Sequence, residues 1–98
     1  MGKVAKTIDN KLRSEFAPSR LAVEDESSRH HGHAGWREGG ETHFRVEIVS
    51  AAFEGQSRVA RQRLVYAALK DEFAAGLHAL ALTTLTPEED KRTMSSRA

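Results

Sequence analysis

The chain has 98 residues, 39% hydrophobic and 30% charged, with a formal net charge of +1, which fits one small globular domain and implies no strongly charged partner. It has no cysteine, so disulfides and thiolate chemistry within the chain are excluded, and a metal held by it alone must use His, Asp or Glu. The N-terminus lacks the apolar block of a signal peptide and no stretch approaches the roughly 18 apolar residues of a membrane span, so a cytoplasmic protein without a membrane role is expected.

In residues 3 to 16, Val4, Ile8, Leu12 and Phe16 recur every four positions with Ala5 beside them. This is the apolar stripe of a helix, stopped by Pro18. The stretch "RLAVEDES" then points Leu21 and Val23 to one side of a short strand. A connection of about 17 residues follows, from Asp25 to Glu41, containing His30, His31 and His33 among four glycines. Structureless connections of that length are uncommon in compact domains and tend to carry function or disorder.

"THFRVEIVS" alternates strictly, with Phe44, Val46 and Ile48 on one face and His43, Arg45 and Glu47 on the other, as a half-buried strand does. After the "AAFEGQS" turn a helix is expected from about Arg58 to Ala75, with Ser57 as N-cap and Gly76 as the stop. Val59, Gln62, Tyr66, Leu69 and Phe73 line one face of it, with Ala60, Leu64 and Ala68 on another. Gln62, if buried in that stripe, must find hydrogen-bond partners or cost about 1 to 3 kcal/mol. "LHALALTTL" alternates as a third strand, with Leu77, Ala79 and Ala81 on one side and His78, Leu80 and Leu82 on the other. From Pro87 the chain is polar and aperiodic, which reads as a frayed tail after a single domain ending at residue 87. The expected fold is α/β (α+β), in the order helix, strand, strand, helix, strand.

Several blocks now agree in order and spacing with a known family. "DES" followed by a histidine-bearing glycine loop, then "GETHFRVEIVS", "FEG", "RQRLVYAAL" and "LHALAL" with "LTP" after it, closely resembles the BolA family from about Ile8 to Pro87. The resemblance implies a fold similar to a type II KH domain, with two helices on one face of a three-stranded sheet. It also implies a monothiol glutaredoxin as partner, a [2Fe-2S] cluster shared with that protein and glutathione, and a second role in transcription regulation, stress response and cell morphology. One departure is Gln62, which stands between Arg61 and Arg63 where the family usually has histidine.

A [2Fe-2S] core needs four ligands besides its bridging sulfides. In the family the partner supplies a cysteine sulfur and a glutathione sulfur, so two imidazoles remain for this chain. Imidazole in place of thiolate is sound iron chemistry and raises the reduction potential. By resemblance His78 matches the family's ligand histidine and His33, in "GHAG", matches a loop position that is Cys or His in different branches. His31 and His30 are the alternatives within the loop, and His43 is expected to be structural. The isolated chain is then expected to be monomeric and to hold no cluster stably, and to form a heterodimer with glutaredoxin.

The rival reading is DNA binding, carried by Arg58, Arg61, Arg63 and Lys70 on the second helix. It is weakened by the position of "GHAG" between two strands. Before the second helix, where a KH domain has its GxxG loop, the chain reads "GQSR". A mononuclear zinc or copper site lacks a completing ligand set. No motif joins a nucleophile to a base, so no enzymatic activity is expected.

Overall fold

The computed structural model describes residues 2–26, 43–77 and 79–97. Helix α1 spans Lys3–Phe16, and Ala5, Ile8, Leu12 and Phe16, three and four apart, are its buried residues. It ends at Ala17, whose left-handed backbone (φ 42°, ψ 55°) turns its N–H onto the Arg13 carbonyl, an arrangement that closes the orphan end of a helix. Pro18 then prevents continuation.

Strand β1 (Arg20–Asp25) pairs antiparallel with β2 (His43–Val49), Leu21 facing Ile48 and Val23 facing Val46. Strand β3 (Ala79–Leu85) pairs parallel with β2 on its other side, His43 facing Ala79 and Val49 facing Leu85. The sheet order is β1-β2-β3. The expected alternation in β2 is present: Phe44, Val46 and Ile48 are buried, whereas Arg45 is exposed and His43 and Glu47 are half-buried. In β3 the side bearing Leu80, Leu82 and Thr84 faces inward and Ala79, Ala81 and Thr83 are exposed.

The parallel crossover from β2 to β3 begins with a 3-10 turn, Ala51–Phe53. Helix α2 follows at Arg58–Ala68, and the Ser57 hydroxyl accepts from the Ala60 N–H as the sequence leads one to expect. The expected single helix is broken at Leu69 (φ −103°, ψ 16°), and α3 resumes at Lys70–Ala75. Leu69 carries no helix-breaking side chain; it is fully buried beside Val65. Gly76, with φ 127°, ends α3 in a conformation open to glycine.

One core joins these parts. Ile8, Leu12 and Phe16 of α1, Phe44, Val46 and Ile48 of β2, Phe53, Val65, Leu69 and Leu77 form a single buried cluster, flanked by Leu21, Val23, Leu80 and Leu82. Both helical segments therefore cover the same face of the sheet. Each fully buried large side chain contributes about 1.5 to 3 kcal/mol by leaving water. Phe16 and Phe53, with ring centroids 5.3 Å apart, tie the end of α1 to the start of the crossover.

The segment after Pro87, expected as a frayed tail, is helix α4 (Pro87–Arg97). Its start is a capping box: Thr86 Oγ1 accepts from the Glu89 N–H at 3.2 Å, and Glu89 Oε1 accepts from the Thr86 N–H at 2.9 Å. "TPEE" supplies every part of that signature, with proline in the first helical position and glutamate two later. Glu89 and Asp90 then reach opposite ways around the end of the sheet. Glu89 meets Arg61 of α2 at 2.7 Å, and Asp90 meets Arg20 of β1 at 2.5 Å.

The buried stripe of α2 also departs from the expected one. Arg61 and Val65 are the buried residues, Gln62 is exposed, and Val59 and Tyr66 are 56% and 39% exposed. Gln62 thus avoids the desolvation cost that burial would impose. Arg61 takes the inward position because each of its three guanidinium nitrogens finds an acceptor. Its Nε donates to the Gln56 carbonyl at 3.0 Å, and one terminal nitrogen donates to the Thr84 carbonyl and to Glu89. The second terminal nitrogen also donates to Glu89.

Candidate functional site

The residues expected to ligate metal, His78 and His33, and the loop alternatives His31 and His30 all lie outside the described residues. The described residues on either side of them converge. Glu26, just after β1, donates its N–H to the His43 carbonyl at 2.8 Å, closing the two strands from which the histidine-bearing connection leaves. The register of the parallel pair sets His43 directly beside Ala79, the residue after His78. The chain therefore enters β2 from the long connection and enters β3 from residue 78 at one end of the sheet.

Charge at this end is matched locally. Arg45 Nε donates to Glu26 at 3.0 Å, and Glu26 is largely shielded. His43 is half-buried and makes an interaction of its own. Among the described residues no group of three or more His, Cys, Asp or Glu side chains could hold a metal ion.

The four basic residues of the rival reading separate into two kinds. Arg58, Arg63 and Lys70 are exposed. Arg61 is 7% exposed, with its guanidinium committed to Glu89 and to two backbone carbonyls. It is a structural cation and is not presented to a phosphate, which corrects its place in the expected basic cluster. Its partner answers in kind: hydrogen bonds from Arg61 and from the Thr86 N–H hold the Glu89 carboxyl down at about 2, from an ordinary value of 4.5. Arg20, between Asp90 and Glu47, is likewise held in its charged form, its pKa raised chiefly by the hydrogen bond to Asp90. Lys11 of α1 is held charged by its 2.9 Å hydrogen bond to Glu72 of α3.

A family model described as "BolA-like protein" matches residues 12–89. The chain belongs to the BolA family. It is 47% identical over 93 residues to SufE-like protein 1, chloroplastic/mitochondrial, of Arabidopsis thaliana, covering 91% of this chain and 25% of that protein. It is 41% identical over 88 residues to the DNA-binding transcriptional regulator BolA of Haemophilus influenzae, covering 90% of this chain and 82% of that one. The solved BolA domain of SufE1 from Arabidopsis thaliana superposes with a TM-score of 0.82 at 47% identity, covering 91% of this chain and 98% of that domain. This chain is thus the size of the BolA domain alone, and spans only about a quarter of the longer SufE-like relative.

The BolA match confirms the resemblance drawn from the sequence blocks. It leaves the compartment open, since a relative this similar carries a chloroplastic and mitochondrial designation. Among the described residues no helix is long and apolar enough to cross a membrane. The residues that the sequence reading passed over are Arg20, Glu89 and Asp90, and the signal that marks them is the capping box at Thr86.

Proposed function

We propose that this BolA-family chain is a non-enzymatic partner of a monothiol glutaredoxin, holding or passing on a shared [2Fe-2S] cluster through His78 and His33. The observation that carries this reading is the pairing of His43 with Ala79. It brings the exit of the histidine-bearing connection beside the chain that leads out of residue 78. His33 stands ten residues before His43, and a chain of that length can span up to about 33 Å, so reach does not limit a meeting of the two imidazoles.

The donor chemistry fits a shared site. A chain without cysteine can offer a cluster imidazoles but no thiolate, and the sulfur ligands then come from the partner and glutathione. Imidazole ligation raises the cluster's potential relative to an all-thiolate centre. Iron binds the neutral imidazole, so the complex should weaken as pH falls through the histidine range near 6.5.

The test is anaerobic reconstitution with a monothiol glutaredoxin and glutathione, followed by visible circular dichroism. A mixed complex with its own spectrum, lost on His78→Ala, supports the proposal. A stoichiometric cluster on this chain alone, or a spectrum indifferent to His78→Ala, overturns it.

A second reading, DNA binding in transcription regulation, has support from the Haemophilus influenzae relative, a DNA-binding transcriptional regulator, and from the exposed Arg58, Arg63 and Lys70. Phosphate contacts of this kind weaken steeply with salt. Arg58→Ala and Arg63→Ala should each lower the salt slope by about one. Tight, sequence-selective binding by the apo chain at physiological salt would put this reading first.

A further inference from the structure

Among the described residues the sheet order β1-β2-β3 leaves β3 with a strand partner on one side only. Two hydrogen bonds give the sense of its backbone. The Leu85 carbonyl accepts from the Ser50 N–H, on the β2 side, whereas the Thr84 carbonyl accepts from the Arg61 guanidinium, on the other. Peptide groups alternate in direction along a strand, so the N–H and C=O of Leu80 and Leu82 also point away from β2. Arg61 closes this edge at Thr84. Leu80 and Leu82, both half-buried, leave a short row in which donors and acceptors alternate.

Beside this row lies a cleft of about 150 Å3 lined by Arg58, Gln62, Leu82, Thr83, Thr84 and Leu85. Arg58 and Gln62 project from the first turns of α2 and are exposed, and the side chain of neither makes an ion pair or hydrogen bond with another described residue. The contrast with Arg61, three residues from Arg58, is direct. One arginine is spent on the fold, and the other stands at the strand edge with no carboxylate paired to it among the described residues.

We propose that the β3 edge is a docking site for an extended segment of a partner protein, pairing with the Leu80 and Leu82 backbone and placing an acidic side chain against Arg58. An exposed strand edge is a template for a further strand, with backbone pairing giving affinity and flanking side chains giving selectivity. Gln62, which can both donate and accept, fits a polar group next to that carboxylate. The alternating row favours a peptide over single-stranded nucleic acid, because a phosphate backbone offers acceptors alone and would meet the Leu80 and Leu82 carbonyls unfavourably. This inference does not depend on the cluster reading, since the edge and its cleft are built entirely from described residues.

The test uses the full chain and a set of eight-residue peptides alternating threonine and valine, with a single glutamate stepped through the positions. A matching lysine set and an eight-nucleotide oligothymidylate are the controls. Binding is followed by fluorescence anisotropy and by amide hydrogen exchange. Binding by at least one glutamate peptide, with slowed exchange at Leu80 and Leu82, is expected. Arg58→Glu, at an exposed position, should weaken that peptide tenfold or more and strengthen its lysine counterpart. No binding by any glutamate peptide, binding unchanged by Arg58→Glu, protection confined to other amides, or oligothymidylate alone protecting Leu80 and Leu82 would each overturn the proposal.

Discussion

The two ends of the sheet are built in opposite ways. At the end where β1 begins and β2 and β3 finish, the chain is stitched from every side. Ser19 donates to Val49, and Ser50 donates to Leu85 through its backbone and to Phe16 through its hydroxyl at 2.6 Å. Arg61 and Arg20 clamp α4 across the same end. At the other end, where β2 and β3 begin, a backbone bond joins Glu26 to His43 and Arg45 pairs with Glu26. That contrast assigns different work to the two ends. The first end is thus where α4, β1 and α2 are tied together by ion pairs, away from the end at which the chain bearing the proposed ligands enters the sheet.

The largest expected effect on folding is therefore at Arg61. Arg61→Ala removes donors from the Gln56 and Thr84 carbonyls and from Glu89 together. It should cost about 2 to 3 kcal/mol in urea denaturation, below the range for a fully buried pair, because Glu89 is 32% exposed. The proposed cluster assembly with glutaredoxin should survive in the fraction that remains folded. Should Arg61→Ala leave stability unchanged, the anchored end is not anchored by this cation.

Ser50→Ala comes next. Ser50 is 1% exposed, and its hydroxyl donates to the Phe16 carbonyl and accepts from the Ala52 N–H at 3.0 Å. Its loss strands both partners and should cost about 1 to 2 kcal/mol, read as a lower thermal midpoint. An effect confined to a few tenths would mean that water replaces the hydroxyl.

Acid should act on the anchored end first. The folded Glu89 carboxyl sits at about 2 against an ordinary 4.5. A carboxyl lowered in the folded state binds protons more readily in the unfolded chain. Its stabilisation is complete above about 4.5 and is lost as pH falls from there towards 2. Urea midpoints measured across that window should fall with pH in the parent chain and fall less in Glu89→Gln. Parallel curves for the two proteins would remove Glu89 from the account.

The smallest folding effect belongs to the other end. His78→Ala and His33→Ala should each change stability by less than about 0.5 kcal/mol, while abolishing or rearranging the spectrum of the glutaredoxin complex. A histidine variant that unfolds the free domain would erase the division between the two ends.

Much of this fold can be read from side-chain spacing. The α1 stripe, the β2 alternation and the Ser57 cap all appear as expected, because each depends on neighbours within a turn or a strand. The errors share one origin. Treating residues beyond Pro87 as a tail hides Glu89. Without Glu89, a buried arginine in α2 has no carboxylate to meet, and the apolar-looking set Val59, Gln62 and Tyr66 becomes the natural inward face. Arg61 faces inward because a carboxylate 28 positions away meets it, and no local period reveals such a pairing. The break at Leu69 is of the same kind, since neither glycine nor proline marks it. As for the proposed site, the sequence offers the histidines as candidate ligands by resemblance, whereas the convergence of the chain entering His43 and Ala79 requires the strand register.

The clamp on α4 has a practical corollary for instrumentation. A helix gripped by consecutive residues on two sides of a sheet cannot roll about its axis, so its 11 residues form a stiff outrigger about 16 Å long. A fluorophore or rigid scaffold joined to it in continuous helix would keep a fixed bearing on the domain. Arg61→Ala would turn that fixed bearing into a swivel, visible as a broadened distribution of distances in single-molecule energy transfer.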